Sequence, residues 1–200
     1  RFKEAECPAE FICSSLMDVP LADASVDVIF SEGVLHHTDS TKEALCALSR
    51  LLRPGGTFLF YVYAKKAITR EFVDDHIRDQ LKGMSNDEAW EALYPLTKLG
   101  IALGELNVTL DVPDDIPMLG IKKGPMPLQR FLYWNFFKAF YSPELDLEEM
   151  NHLNFDWYRP LNCHRHSKEE VLDFCQAAGL KAERVHVEEA GITVCARKTA

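Results

Sequence analysis

The stretch from Ser15 to Tyr63 constrains this chain most. It opens with a polar loop ending in Asp18-Val19-Pro20, followed by an apolar strand over 26–31 and the run Gly33-Val34-Leu35-His36-His37. A capped helix, Arg53-Pro54-Gly55-Gly56 and a second apolar strand over 57–63 complete it. Strand, helix and strand in that order form a βαβ unit, and such units build parallel sheets with ligand sites at the strand ends. Val26, Val28, Ile29 and Phe30 make the first strand nearly all apolar, as suits one covered on both faces. Ser40 with Glu43 forms a capping box, and Leu45, Leu48, Leu51 and Leu52 share one helical face. Pro54-Gly55-Gly56 then reads as a tight turn that stops the helix. Residues 11–13 read as the edge of a further strand.

Beyond residue 64 the alternation breaks. Helices are expected over 70–81, 87–106 and 128–141, with a Pro- and Gly-rich loop at 111–127 between the last two. A loop of that length is uncommon inside a compact domain. Phe131, Tyr133, Trp134, Phe136, Phe137, Phe140 and Tyr141 cover more than one face of the third helix. They are expected to bury it against its surroundings, with a ligand pocket as the alternative. Residues 156–166 read as a connector back to the alternating pattern. Ser167 and Glu170 form another capping box, Val171, Leu172, Phe174, Cys175 and Ala178 an apolar stripe, and Gly179 a helix stop. Strands over 182–187 and 192–197 are joined by so short a turn that they must be antiparallel.

The 200 residues carry a net charge of −9, with acidic and basic residues mixed along the chain. That argues against a nucleic-acid backbone as partner, which needs clustered Lys and Arg. No apolar run approaches the roughly 20 residues that span a bilayer, so no membrane partner is expected. The six Cys show neither a CxxC pair nor disulfide-framework spacing and read as free thiols in a reducing cytoplasm. Cys163, His164 and His166 are three candidate ligands in a spacing zinc sites do not commonly use, so no metal is expected.

Taken in order, these motifs resemble the class I S-adenosylmethionine-dependent methyltransferases, in particular those with a methyltransferase type 11 or 12 core. The resemblance rests on Asp18-Val19-Pro20, Val26-Asp27-Val28-Ile29, Gly33 to His37, Arg50-Leu51-Leu52-Arg53-Pro54-Gly55-Gly56 and the terminal helix with its antiparallel hairpin. It implies an α/β fold: a partial Rossmann-like sheet made of the later strands and the C-terminal hairpin, carrying a helical insertion. Residues 1–64 and 159–200 would form the core and 65–158 an insertion acting as a lid. The family's Gly-rich turn after its first strand, and the acidic residue that holds the ribose, would both lie before Arg1. The expectation is therefore a reading frame that begins inside the domain, and a 200-residue fragment that is poorly soluble alone.

The resemblance implies S-adenosyl-L-methionine as cofactor and a small-molecule acceptor. The cofactor carries the reactive methyl, so the protein mainly orients and desolvates. Ser31, Glu32 and Gly33 are expected beside the cofactor, together with Ser15 and Leu16. Ser15 stands where the family often has an Asp near the adenine. His37 is the candidate acid–base group, because histidine titrates near neutrality; the alternative is that it fixes the loop. His36, Tyr158 and Arg159 are candidate acceptor contacts. A methyltransferase fold kept only for binding or scaffolding is the rival reading. A nicotinamide oxidoreductase is disfavoured by the terminal hairpin.

Overall fold

The computed structural model describes residues 8–199, so Cys7 lies outside the described residues. The chain enters through a loop over 8–25, and residues 11–13 form no strand there. Strand β1 (Val26–Glu32), helix α1 (Thr41–Ser49) and strand β2 (Leu52–Tyr63) then form the expected unit. The strands pair in parallel, with Ile29 opposite Phe58 and Ser31 opposite Phe60. Ser40 accepts a hydrogen bond from the Glu43 amide and starts α1.

Arg53-Pro54-Gly55-Gly56 behaves differently from the expected turn. It belongs to β2, and the ladder slips across it: Val26 pairs with Leu52, but Val28 already pairs with Thr57. The four residues form an excursion from the strand, so the helix ends earlier and regular pairing resumes where the apolar alternation begins.

Four helices and a small ribbon follow. They are α2 (Ile68–Leu81), α3 (Asn86–Glu105), the antiparallel pair β3 (Thr109–Val112) and β4 (Gly124–Pro127), α4 (Leu128–Asn135) and α5 (Leu147–Tyr158). The expected 111–127 loop thus contains most of a two-stranded ribbon. The third expected helix stops six residues early. Residues 136–141 instead run as an irregular strap against α3, where a Cβ on Gly100 would lie 2.8 Å from the Phe140 carbonyl oxygen. On Gly104 it would overlap the Tyr141 ring. Two small residues one turn apart thus leave the room that the strap fills against the helix. Helix α5 was not foreseen, although Asp146 and Glu149 make a complete capping box at its start.

The chain returns through α6 (Lys168–Ala177), opened by the Ser167–Glu170 capping box, into β5 (Leu180–Val187) and β6 (Gly191–Lys198). These two strands are antiparallel as expected. Sheet order is β1-β2-β6-β5, with β6 antiparallel to both neighbours. Phe58, Phe60, Val62, Ile192, Val194 and Ala196 face α1 and α6 and form the main core with Leu45, Leu48 and Val171. On the opposite sheet face Val28 and Phe30 are each 64% exposed, and β1 has no second strand partner among the described residues.

Candidate functional site

Strand β1 delivers its last residues to the end of the parallel pair. Ser31 is buried and Glu32 is exposed. Gly33 has φ of +71°, a conformation that side chains with a Cβ rarely adopt, so glycine is what lets the chain leave the strand here. A 3-10 turn, Leu35–His37, follows.

The two histidines of that turn have different surroundings. His36 is fully buried, its ring 3.7 Å from that of Tyr63, and neither ring nitrogen has a partner. Burial, reinforced by the neighbouring His37, holds its pKa down at about 3, so the imidazole is neutral. His37 is half-buried, with Nδ1 2.7 Å from the Asn162 carbonyl oxygen. A carbonyl only accepts, so Nδ1 carries the hydrogen and Nε2 keeps its lone pair in the neutral ring. That is the tautomer a proton acceptor needs.

Strand alternation puts Tyr61 and Tyr63 on the sheet face away from α1, at this same end of β2. The Tyr61 ring fills the space where Gly191 has no side chain, since a Cβ there would lie 2.2 Å from it. Burial raises the Tyr61 pKa, with Glu188, Tyr133 and Glu32 adding to the effect. Burial takes Tyr63 to about 12. Both are neutral phenols at ordinary pH. Lys66 donates to the carbonyls of Glu189 and Ala190 at 2.6 and 2.7 Å and so ties the end of β2 to the β5–β6 turn. Its Nζ is 5.9 Å from both the Trp134 and Trp157 rings, and burial lowers its pKa to about 8. Sequence reasoning noted Tyr61-Val62-Tyr63 as a motif but did not place Tyr61, Tyr63, Lys66 or Gly191 at the site. The signal for the tyrosines was present: two aromatic residues spaced by two at the carboxyl end of a strand.

The remaining candidates lie on two other elements. Ser15 is exposed in the entry loop, where its hydroxyl accepts from the Met17 amide, and Leu16 packs against the sheet core. Tyr158 ends α5, buried, with its hydroxyl donating to Asp74 at 2.8 Å. Arg159 follows it and donates to Asn86 and to the Met84 carbonyl. Tyr158 and Arg159 line a cavity of about 530 Å³ between α2 and the connector at 159–165. That connector also carries Asn162, the residue that holds His37, and Tyr63 links the two places by packing on both His36 and Trp157. His164 Nε2 is 3.0 Å from the Thr38 carbonyl oxygen and His166 Nε2 2.9 Å from the Thr41 hydroxyl. Among the described residues no group of three or more His, Cys, Asp or Glu side chains is gathered as a metal ion would require. No described helix is long and apolar enough to cross a membrane. Of the described cysteines, Cys163 and Cys175 are buried and Cys13 is exposed, all as free thiols.

Comparison with known proteins finds similarity over part of the chain. Residues 1–60 match the model of a methyltransferase domain. Dimethylglycine N-methyltransferase of Parasynechococcus marenigrum is 43% identical over 47 residues, 24% of this chain and 17% of that one. Malonyl-[acyl-carrier protein] O-methyltransferase of Serratia marcescens is 26% identical over 130 residues, 61% of this chain and 48% of that one. A mouse chain named "Probable tRNA methyltransferase 9B" is 40% identical over 65 residues, 30% of this chain and 14% of its own. The chain therefore spans less than half the length of each of these relatives. A solved SAM-dependent methyltransferase from Aquifex aeolicus aligns with a TM-score of 0.44 at 13% identity, covering 99% of this chain and 60% of that one. Over its first 60 residues the chain is thus similar to a methyltransferase domain.

Proposed function

We propose that the protein carrying this chain transfers a methyl group from S-adenosylmethionine to a small-molecule acceptor at the loop that follows β1. The observation that carries this reading is the end of β1 itself: Gly33 at positive φ between exposed Glu32 and the His36–His37 turn, inside the segment that matches the methyltransferase domain. These groups suit the cofactor. The Ser31 hydroxyl, the Glu32 carboxylate and the Gly33 backbone offer both donors and acceptors, and Ser15 and Leu16 border the same segment from the entry loop. When bound, the cofactor supplies an electrophilic methyl on a sulfonium.

The chain's own residues orient and desolvate. Tyr61 and Tyr63 present neutral aromatic surface to the site, and His36 backs Tyr63 as an uncharged ring. His37, held through Nδ1, offers Nε2 to an acceptor proton. Helices α2 to α5 and the strap at 136–141 cover this end as a lid, with 65–158 as one insertion. His36 contributes on the acceptor side by packing, whereas Tyr158 and Arg159 lie beyond the connector and line the neighbouring cavity.

Calorimetric titration of the full-length protein with S-adenosylhomocysteine tests the cofactor half of the proposal. Saturable binding is expected, weakened about tenfold or more by Gly33→Val, a loss of about 1.4 kcal/mol or more. Absence of binding to the full-length protein overturns it. Binding with no transfer to any amine, hydroxyl or carboxyl acceptor supports the scaffold reading instead. Where transfer is found, His37→Gln is expected to lower turnover about 10²-fold or more with cofactor affinity unchanged.

A further inference from the structure

The cavity beside the connector has an unbalanced charge. Three carboxylates line it, and each has a cationic partner. Arg165 pairs with Glu71 at 2.8 Å and with Asp75 at 2.6 Å, and Lys82 stands 3.5 Å from Asp79. Two further lining guanidiniums, Arg78 and Arg159, have no acidic side chain within 4 Å among the described residues.

Arg78 is the more telling. It donates to the carbonyls of Trp157 and Pro160, and its Nε is buried without an acceptor. Its guanidinium lies 5.3 Å from the Trp157 ring. A guanidinium does not shed its charge in a protein. Burial disfavours that charge, which Asp74 and Asp75 favour from beyond ion-pair distance and the carbonyls and the Trp157 ring favour in contact. Arg159 is held across the same cavity by Asn86 and Met84, with its charge met in contact only by neutral oxygens. Leu81 and Leu161 add apolar wall. The volume is that of a small-molecule pocket.

We propose that this cavity binds a small molecule bearing a carboxylate or phosphate group, with Arg78 and Arg159 as its cationic contacts. Four cationic and three acidic side chains line the cavity, a surplus of one that an anion there offsets, and the apolar wall takes the rest of the ligand. The site does not depend on methyl transfer. It shares only the connector with His37.

Inorganic phosphate and succinate serve as separate probes for the two anion chemistries, each titrated into the full-length protein against sodium chloride at matched ionic strength. No cofactor or acceptor is present, so failure of the methyl-transfer proposal leaves this result untouched. The expected result is saturable binding of at least one probe, with Kd near or below about 1 mM, and a rise in melting temperature that chloride does not reproduce. Arg78→Met is expected to abolish it. Arg159→Gln, a change at the half-buried rim that leaves the fold intact, is expected to weaken it about tenfold. Neither probe binding saturably, or equal binding by wild type and the Arg159→Gln variant, overturns the proposal.

Discussion

Beneath the sheet, Phe58, Phe60, Val62, Ile192 and Val194 pack against Leu45, Leu48 and Val171. In the helical region Arg70, Asp74, Thr97, Asn151 and Asn154 are buried just as deeply, each at 1% exposure or less. Asp74 is the hub there, accepting from Arg70 Nε at 2.5 Å, Trp157 Nε1 at 2.8 Å and the Tyr158 hydroxyl at 2.8 Å. Thr97 donates to Asn151 at 2.7 Å and accepts from Asn154 at 2.9 Å, while Asn154 also accepts from the Phe140 amide of the strap. One region is held mainly by apolar area removed from water. The other adds to a smaller apolar cluster of Leu81, Ala89, Leu93 and Trp157 a hydrogen-bond network in which every member must be satisfied.

The largest expected effects test that difference directly. Asp74→Ala strands the buried Arg70 guanidinium and is expected to cost about 3–5 kcal/mol. Phe60→Ala leaves a cavity under the sheet and is expected to cost about the same, 3–5 kcal/mol. The two separate on repair. The paired replacement Arg70→Met with Asp74→Leu removes both charges and is expected to recover most of the first loss, because an apolar pair of similar volume often matches a buried ion pair. Urea denaturation with hydrogen exchange on α2 and α5 reads both. If the double variant remains as unstable as Asp74→Ala, the other Asp74 partners, Trp157 and Tyr158, carry the network rather than the ion pair.

The same difference explains what the sequence made legible. The alternation of Phe58, Phe60 and Val62 and the leucine stripe of α1 are apolar periodicities, and they located both strands and the helix between them. The terminal hairpin followed from a turn too short for any parallel connection. In α5 the buried face mixes Met150, Trp157 and Tyr158 with Asn151 and Asn154, which interrupts the apolar period, so the helix went unseen although its cap was complete. The strap at 136–141 read as helix because its aromatics suit one. Gly100 and Gly104, far away on α3, are what let it lie flat, and no local pattern reports that. At the site, Ser31 to His37 were visible as a motif, whereas Tyr61 depends on Gly191, 130 residues later in the chain.

Titration offers a second contrast, of smaller size. His36 and His166 are buried bases whose folded pKa values lie at about 3 and about 4, below the 6.5 of the unfolded chain. Burial is the main cause in both. The unfolded state then binds more protons between those limits, so stability falls as pH drops below 6.5. Each histidine is expected to cost about 2 kcal/mol between pH 7 and pH 5, at 1.4 kcal/mol per pK unit. His36→Phe keeps a ring against Tyr63 and cannot protonate. Its stability relative to wild type is expected to rise by about that amount over the same interval, measured by urea melts at each pH. In the helical region the sensitive base is Lys138, which burial lowers to about 7 from 10.5, with Arg70 and Arg78 lowering it further and Asp74 and Asp156 opposing them. There the unfolded state binds more protons above pH 7, so that region gains stability toward pH 9. Lys138→Met is expected to remove its share of the alkaline gain, leaving the smaller share of Lys66 and the acid loss in place.

The smallest effects are expected where the two regions do not differ. Helix α6 of the sheet side and α5 of the helical side open with the same reciprocal box, Ser167 with Glu170 and Asp146 with Glu149. Each box satisfies two amides that a helix start leaves unpaired, and this energy is local. Ser167→Ala and Asp146→Ala are each expected to cost about 1 kcal/mol. Denaturation melts of the two single variants check it. Equal losses assign the contrast between the regions to their interiors. If Asp146→Ala costs several times more, the polar network begins at the cap, because loosening the first turn of α5 shifts Asn151 and Asn154 off Thr97 and opens every bond that depends on them.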